Sequence, residues 1–306
     1  MLIFALKRLA VAILVALFVS AVAFTALRLS GDPALAIAGE GARAADIELV
    51  RKTYGLDRPL AVQYFSWLST VASGDFGESL YFKTSVTALI AAKLPTTFIV
   101  GALAIVFALA LAIPLGVLAA VYQGSIIDRF ALAVAVAGQA LPNFFFALVL
   151  MMIFSIQLRW LPVSGSDTWA HFVMPVIALG YFVTPPLMRL VRAGVVDVPG
   201  ADYIRTARAT GLSTASVIFK HGLRNALVPV VALAAVQLGI LLGGSIVIET
   251  IFALDGLGYL AYQSITHKDF PVTQAVLLLL SLIYVLLTLC ADLLNAFLDP
   301  RLRVAA

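Results

Sequence analysis

Six stretches of this chain run for at least 18 residues without an Asp, Glu, Lys or Arg: 9–27, 94–127, 130–158, 168–188, 225–248 and 270–291. That pattern leaves few folds open. About 20 apolar residues in a helix cross the roughly 30 Å hydrocarbon layer of a bilayer, where every backbone N–H must bond within its own segment. Apolar residues make up 62% of the chain and charged residues 12%, against about 25% charged in ordinary globular domains. A net charge of +4 is too sparse for a nucleic-acid surface. The same composition excludes a disordered chain and a coiled coil. A single cysteine, Cys290, excludes an internal disulfide and leaves the redox compartment unreadable. The chain is an integral membrane protein.

The expected spans are about 9–29, 97–121, 130–158, 168–188, 225–248 and 270–291. The 34-residue run at 94–127 is too short for two spans and a turn. It reads as one helix entered through Leu94-Pro95 and closed at Gly124. The N-terminus also carries the marks of a secretory signal, with Lys7-Arg8, an apolar core and Ala21-Val22-Ala23. Hydrophobicity nevertheless continues through Leu27, so the segment is expected to stay as the first span. Six spans place both termini on one side. That side would hold eleven basic residues: Lys7, Arg8, Arg129, six within 189–224, Arg301 and Arg303. The short loops opposite hold Arg159 and Lys268. The long 28–93 segment balances seven basic with seven acidic residues, and long segments translocate largely regardless of charge. Both termini are therefore expected in the cytoplasm.

Two regions follow: 1–93, an N-terminal span with an extracytoplasmic insert, and 94–306, a core of five spans with a cytoplasmic loop at 189–224. Within the insert, helical apolar spacing at 44–54 and 59–72 predicts two short helices on the membrane surface. Tyr64 and Trp67 there suit either the interface or packing of the insert itself. Pro142, Pro175 and Pro185-Pro186 mark kinks. Gly239 and Gly243, four residues apart, allow close helix contact, either within the chain or between subunits.

Catalytic signatures are missing. His171, His221 and His267 lie in separate segments without metal-ligand spacing, and no H-E-x-x-H or nucleophile elbow occurs. No phosphate-binding G-x-x-x-x-G-K-[ST] loop is present either, so the chain cannot cradle ATP in the usual way. No charged residue falls at the expected mid-membrane depth. That weighs against an ion-coupled carrier, which normally needs one; a self-sufficient channel stays as the rival of another class. The polar residues left in the spans are Gln139, Asn143, Gln157 and Gln237. They either line an uncharged passage or satisfy a neighbouring helix's backbone.

The loop at 189–224 is the most informative stretch. Pro199-Gly200 breaks the preceding helix, and Asp202 is placed to cap a new one. Tyr203, Ile204, Arg205, Thr206, Ala207, Arg208, Ala209 and Thr210 then form about two turns, ended by Gly211. Ser213 can cap a further helix that leads through His221 into the fifth span. A short helix between two breaks on a basic face is a docking element by geometry; as an ordinary basic loop it would only orient the protein.

These residues closely resemble the membrane permease subunits of bacterial ABC importers, in the dipeptide/oligopeptide, nickel and glutathione branch. The Glu-Ala-Ala signature followed by Gly falls on Arg205-Thr206-Ala207 and Gly211, in the form usual for this branch, and His221-x-Leu223-Arg224-Asn225-Ala226-Leu227-x-Pro229 continues it. Further matches are Gly31-Asp32-Pro33, Gly55-Leu56-Asp57-x-Pro59, Gly74-Asp75-Phe76-Gly77-x-Ser79, Trp160-Leu161-Pro162, Glu249-x-x-Phe252, Gly256-x-Gly258 and Asp299-Pro300-Arg301. Leu254-Asp255 departs from the branch, which commonly has Pro directly before the Gly.

The resemblance implies an all-α type I importer permease in the bacterial inner membrane. It implies pairing with a second homologous permease on two ATPase subunits, which would hold the ATP and Mg. An extracytoplasmic binding protein would deliver a peptide, or nickel, glutathione or another small solute. Lipid, and no nucleic acid, is the other expected contact. Residues 203–211 would be the coupling helix, with Arg205 and Arg208 either pairing with acids of the ATPase or standing as solvated loop charges. The chain itself is expected to be no enzyme and to hold no cofactor.

Overall fold

A computed structural model describes residues 2–39, 41–196 and 223–298. The expected coupling helix at 203–211 and the C-terminal Asp299-Pro300-Arg301 lie outside these residues. Among the described residues every regular element is a helix, and the one other feature is an isolated bridge between Glu78 and Ser85. Five helices are long and apolar enough to cross a membrane, and six spans result if one bent pair counts as a single crossing.

The first long helix, α1 (Leu2–Ser30), is apolar on all sides and leaves most of its surface unburied. A helix exposed on an all-apolar surface is stable only against lipid or a partner. It lies along the last helix, α11 (Phe270–Leu298), and Arg8 pairs with Asp292 at 2.9 Å. Three short helices follow: α2 (Pro33–Ala38), α3 (Ala44–Thr53) and α4 (Leu60–Ala72). The Asp32 side chain caps α2 through the Ala34 N–H and accepts from Arg51 at 2.7 Å, which fastens α3 to α2. Tyr64 and Trp67 pack on the buried Phe24 of α1, with ring centroids 5.5 and 5.6 Å away, and the Tyr64 hydroxyl meets Ser20 Oγ at 2.7 Å. The two aromatics serve packing of the insert onto the first span.

The second long helix, α5 (Val86–Val121), is 36 residues long and begins eleven residues before the expected 97. Pro95, read as an entry to the span, sits inside it together with Pro114. At 1.5 Å per residue the helix is about 54 Å long and must tilt or project beyond the hydrocarbon. Neighbouring helices tolerate proline within such a span. Val100, Ala104, Ala108, Ala112 and Gly116 recur every four residues and are all buried. They form the seam against α8 (Ala170–Val196). A Cβ at Gly180 would stand 2.5 Å from the Ala104 carbonyl oxygen, and one at Gly116 would stand 2.7 Å from Val191. The two backbones approach this closely only because neither glycine carries a side chain.

The expected straight span at 130–158 is replaced by a bent pair. Helix α6 (Ile126–Ala140) and α7 (Asn143–Leu150) meet at Leu141-Pro142, and the chain turns by 99°. A seven-residue π-helical segment, Met151–Gln157, continues α7. Proline 142 removes a backbone donor at the junction, which accounts for a break there. Helix α9 (Leu223–Ile251), a short α10 (Leu257–Thr266) and α11 complete the fold. The helices read at 168–188, 225–248 and 270–291 all run further than expected. Each continues past a charged residue that finds a partner inside the fold: Arg192, Glu249 and Asp292.

Two buried clusters hold the fold. The larger joins α5, α6, α7, α8 and α9; the smaller gathers the start of α5, α10 and α11. The insert, the 158–169 loop and the 252–269 segment share one end of the bundle, since Gly165 N–H donates to the Phe252 carbonyl and Ser79 reaches Asp269. Asp128, Arg192 and the Arg8–Asp292 pair mark the other end.

Candidate functional site

Gln139 and Asn143 flank the break between α6 and α7, and Gln237 lies on α9, which packs against α7. Gln139 is exposed, while Asn143 and Gln237 are half-buried. None of the three hydrogen-bonds to another described residue, so none satisfies a neighbour's backbone. Gln157, exposed at the far end of the π segment, stands apart from them. A π segment widens the helix and recurs at functional sites. Here it is drawn tight by its own loop: Trp160 N–H donates to the Phe154 carbonyl at 2.8 Å, and Ser155 Oγ to the Pro162 carbonyl at 3.2 Å.

The glycines at 239 and 243 part company. A Cβ at Gly239 would lie 3.0 Å from the Tyr284 ring of α11, whereas Gly243 and Gly244 have nothing within 4 Å. Gly239 therefore serves contact inside the chain, and Gly243 faces outward.

Three charged constructions went unassigned in the sequence, two at the insert end and one at the other. At the insert end, the fully buried Glu249 of α9 accepts from Thr97 Oγ1 and Ser245 Oγ, both at 2.9 Å. Its second oxygen accepts from the Gly258 and Tyr259 N–H groups at 2.7 and 3.1 Å. Those two N–H groups open α10, so a carboxylate from another helix caps it at the positive end of its dipole. Gly256 and Gly258 make the fit possible. A Cβ at Gly256 would sit 2.4 Å from the carboxylate, and one at Gly258 would sit 2.6 Å from the Ile246 backbone. The neighbouring Leu254-Asp255 is also used locally: Leu254 is fully buried, and Asp255 pairs with Lys93 of α5. A second buried carboxylate, Asp269, accepts from Ser79 Oγ and from the Leu80 and Tyr81 N–H groups, fixing the 77–85 loop to the start of α11.

At the opposite end, Asp128 and Arg192 form a bidentate pair, with Nε to Oδ1 at 2.9 Å and a terminal nitrogen to Oδ2 at 2.8 Å. Asp128 Oδ2 also accepts from Gly124 N–H at 2.9 Å, and Ser125 Oγ caps the Asp128 N–H. The pair locks the start of α6 to the end of α8, four residues before the described part of that helix stops.

The sequence motifs for Glu249, Ser79, Gly256 and Gly258 were visible, but one sequence does not show which partner each has. Nothing local marked Asp128 and Arg192, which lie 64 residues apart. Among the described residues, no group of three His, Cys, Asp or Glu side chains is placed to hold a metal.

Comparison with known proteins places this architecture. The family described as binding-protein-dependent transport system inner membrane component matches residues 112–304, and its N-terminal counterpart matches residues 1–101. A glutathione transport system permease protein of Pectobacterium atrosepticum is 43% identical over 90% of both chains. The protein of that name from Salmonella paratyphi A is 42% identical over 99% of both. A chain of the inward-facing MetNI methionine ABC transporter shares the fold, with a TM-score of 0.57 at 21% identity, covering 69% of this chain and 96% of that one. A chain of an amino acid ABC transporter aligns with a TM-score of 0.52 at 20% identity, over 70% and 94% of the two chains. The chain belongs to the binding-protein-dependent transport system inner membrane components, and is a membrane permease subunit of an ABC importer.

Proposed function

We propose that this permease passes short peptide-like solutes of the glutathione kind, delivered by a binding protein on the side of the insert. The observation that carries this reading is the 42–43% identity over nearly the whole chain to glutathione permeases. A second homologous permease would complete the passage, and two ATPase subunits would drive it. Gln139, Asn143 and Gln237, uncharged and without hydrogen-bond partners among the described residues, suit the wall of a passage for a solute rich in amide groups. The excess of basic residues beside 189–224 supports cytoplasmic termini and puts residues 203–211 where ATPase subunits would dock. A helix seated in an ATPase groove would hand its displacement to α8 and α9, which bracket it in sequence.

Uptake tests the solute. Membranes holding the assembled transporter and its binding protein should accumulate labelled glutathione or dipeptide only with ATP; accumulation of neither, with another solute taken up, rejects the reading. Substitution tests the coupling. Ala207→Trp and Gly211→Val should each abolish uptake and weaken co-purification of the ATPases, while Arg205→Lys and Arg208→Lys keep the loop charge and the topology. Wild-type uptake and co-purification in the first two variants would remove 203–211 from the coupling role.

A further inference from the structure

A cavity of about 720 Å³ lies between the insert, the end of α1 and the start of α11. Its size falls within the range of small-molecule sites. Leu27, Ile37, Trp67 and Phe270 give it apolar walls. Three basic side chains also line it: Arg28 of α1, Arg58 before α4 and Lys83 of the 77–85 loop. None of the three pairs with a carboxylate of the described residues, whereas Arg51, Lys93 and Arg192 all do. Asp75 and Glu78, exposed in the same wall, leave the cavity with an excess of one positive charge. Arg28 is half-buried, with its guanidinium 4.8 Å from the centre of the Phe24 ring. That contact leaves its N–H donors unspent, and a charge partly withdrawn from water favours an anion beside it. Its depth narrows the choice of anion. Arg28 lies in the last turn of α1, at the end of the apolar span Ala5–Leu29, where lipid headgroups begin. On the same helix Phe18, Val22 and Leu29, spaced by four and seven residues, stand exposed along one face.

We propose that this cavity holds the phosphodiester headgroup of a membrane phospholipid, with its phosphate oxygens accepting from the Arg28 guanidinium and its acyl chains lying on the exposed face of α1. The planar fork of an arginine matches two phosphate oxygens at once. Arg58 and Lys83, more exposed, add attraction for an anionic headgroup. A free phosphate offers the same oxygens, but only a lipid also covers the apolar face that leads up to the site. The lipid would fill the gap between the first span and the insert and so tie the insert to the bilayer. This reading does not depend on which solute is transported.

Protection from labelling tests it in the assembled transporter, stripped of lipid in dodecyl maltoside. Thr70, exposed in the cavity wall, is replaced in a Thr70→Cys variant carrying Cys290→Ser. A maleimide probe is added, and its incorporation is read on this chain after the subunits are separated. Dioleoyl phosphatidylglycerol in the micelles should slow labelling about fivefold once it exceeds its dissociation constant severalfold. Dioleoylglycerol, which has the same chains and no phosphate, should not. Arg28→Met keeps the apolar stem and should raise the half-protecting mole fraction about tenfold, the loss expected of one charge-assisted contact. Arg28→Lys keeps the charge and should recover part of that loss. Phosphatidylglycerol should also raise the thermal midpoint of the wild-type complex more than that of Arg28→Met. Without lipid the two midpoints should agree, because Arg28 has no carboxylate partner in the described chain. Absence of protection, equal protection by dioleoylglycerol, or unchanged protection in Arg28→Met overturns the proposal. Equal protection by glycerophosphoglycerol or inorganic phosphate marks a site for soluble phosphates, and protection by S-methylglutathione marks a site for solute; either result overturns it as well.

Discussion

Glu249 shows how one residue can hold three elements. Its carboxylate collects a hydroxyl from α5, a hydroxyl from its own helix and two N–H groups of α10. Truncation to alanine leaves those donors facing apolar surroundings, and an unsatisfied buried donor costs about 1–3 kcal/mol. Glu249→Ala should therefore destabilise the protein by about 3–5 kcal/mol, allowing for partial rearrangement. Glu249→Gln keeps the shape and one acceptor and should cost less than half as much. Gly256→Ala should resemble the alanine variant at 249, because its methyl group would enter the space of the carboxylate and of Thr97 Oγ1. Thermal unfolding in detergent measures all three, and equal midpoints for Glu249→Ala and Glu249→Gln would refute the account. The family motif around Glu249 was legible in the sequence. Its role was not, since the cap it supplies belongs to a helix that begins eight residues later and has no capping side chain of its own.

Among elements, the seam between α5 and α8 and the bend between α6 and α7 show what hydropathy can and cannot convey. Uncharged length located every long helix, because the bilayer imposes that length. Helix ends were misplaced wherever a charge or proline is absorbed by packing, as at Lys93 and Pro95 of α5. The 99° bend at Pro142 was read as a kink, because proline announces a break without giving its angle. Small residues carry a similar ambiguity, which the structure resolves by position. Gly180→Val would drive a side chain into the Ala104 carbonyl and should separate α5 from α8, at a cost of about 3 kcal/mol or more as overpacking in a tight core. Gly243→Ala, with nothing within 4 Å, should cost the isolated chain nothing and stabilise it by up to about 1 kcal/mol through helix propensity. Urea or thermal unfolding of the purified subunit separates the two, and a similar loss in both would mean that Gly243 is packed inside the chain.

For the whole molecule, the Asp128–Arg192 pair is the physical link between the bent α6–α7 unit and the end of α8, where the chain leaves toward 197–222. Asp128 is 94% shielded in its side chain and Arg192 75%, so the pair is screened little by water. Removing one partner leaves the other charge stranded against the fold and destabilises it. If 203–211 couples to the ATPases, movement of α8 should carry α6 with it through this bond and open the break at Leu141-Pro142, where Gln139 and Asn143 stand. Asp128→Asn should thus retain binding-protein-stimulated ATP hydrolysis in the assembled transporter while uptake falls at least tenfold. Replacing both partners, with Asp128→Leu and Arg192→Met, removes the stranded charge and should recover thermal stability toward wild type without recovering uptake. The two readouts decide between a transmitting bond and a purely stabilising one. If uptake returns together with the melting temperature in the double variant, the pair only stabilises the fold, and α6 moves by some other contact.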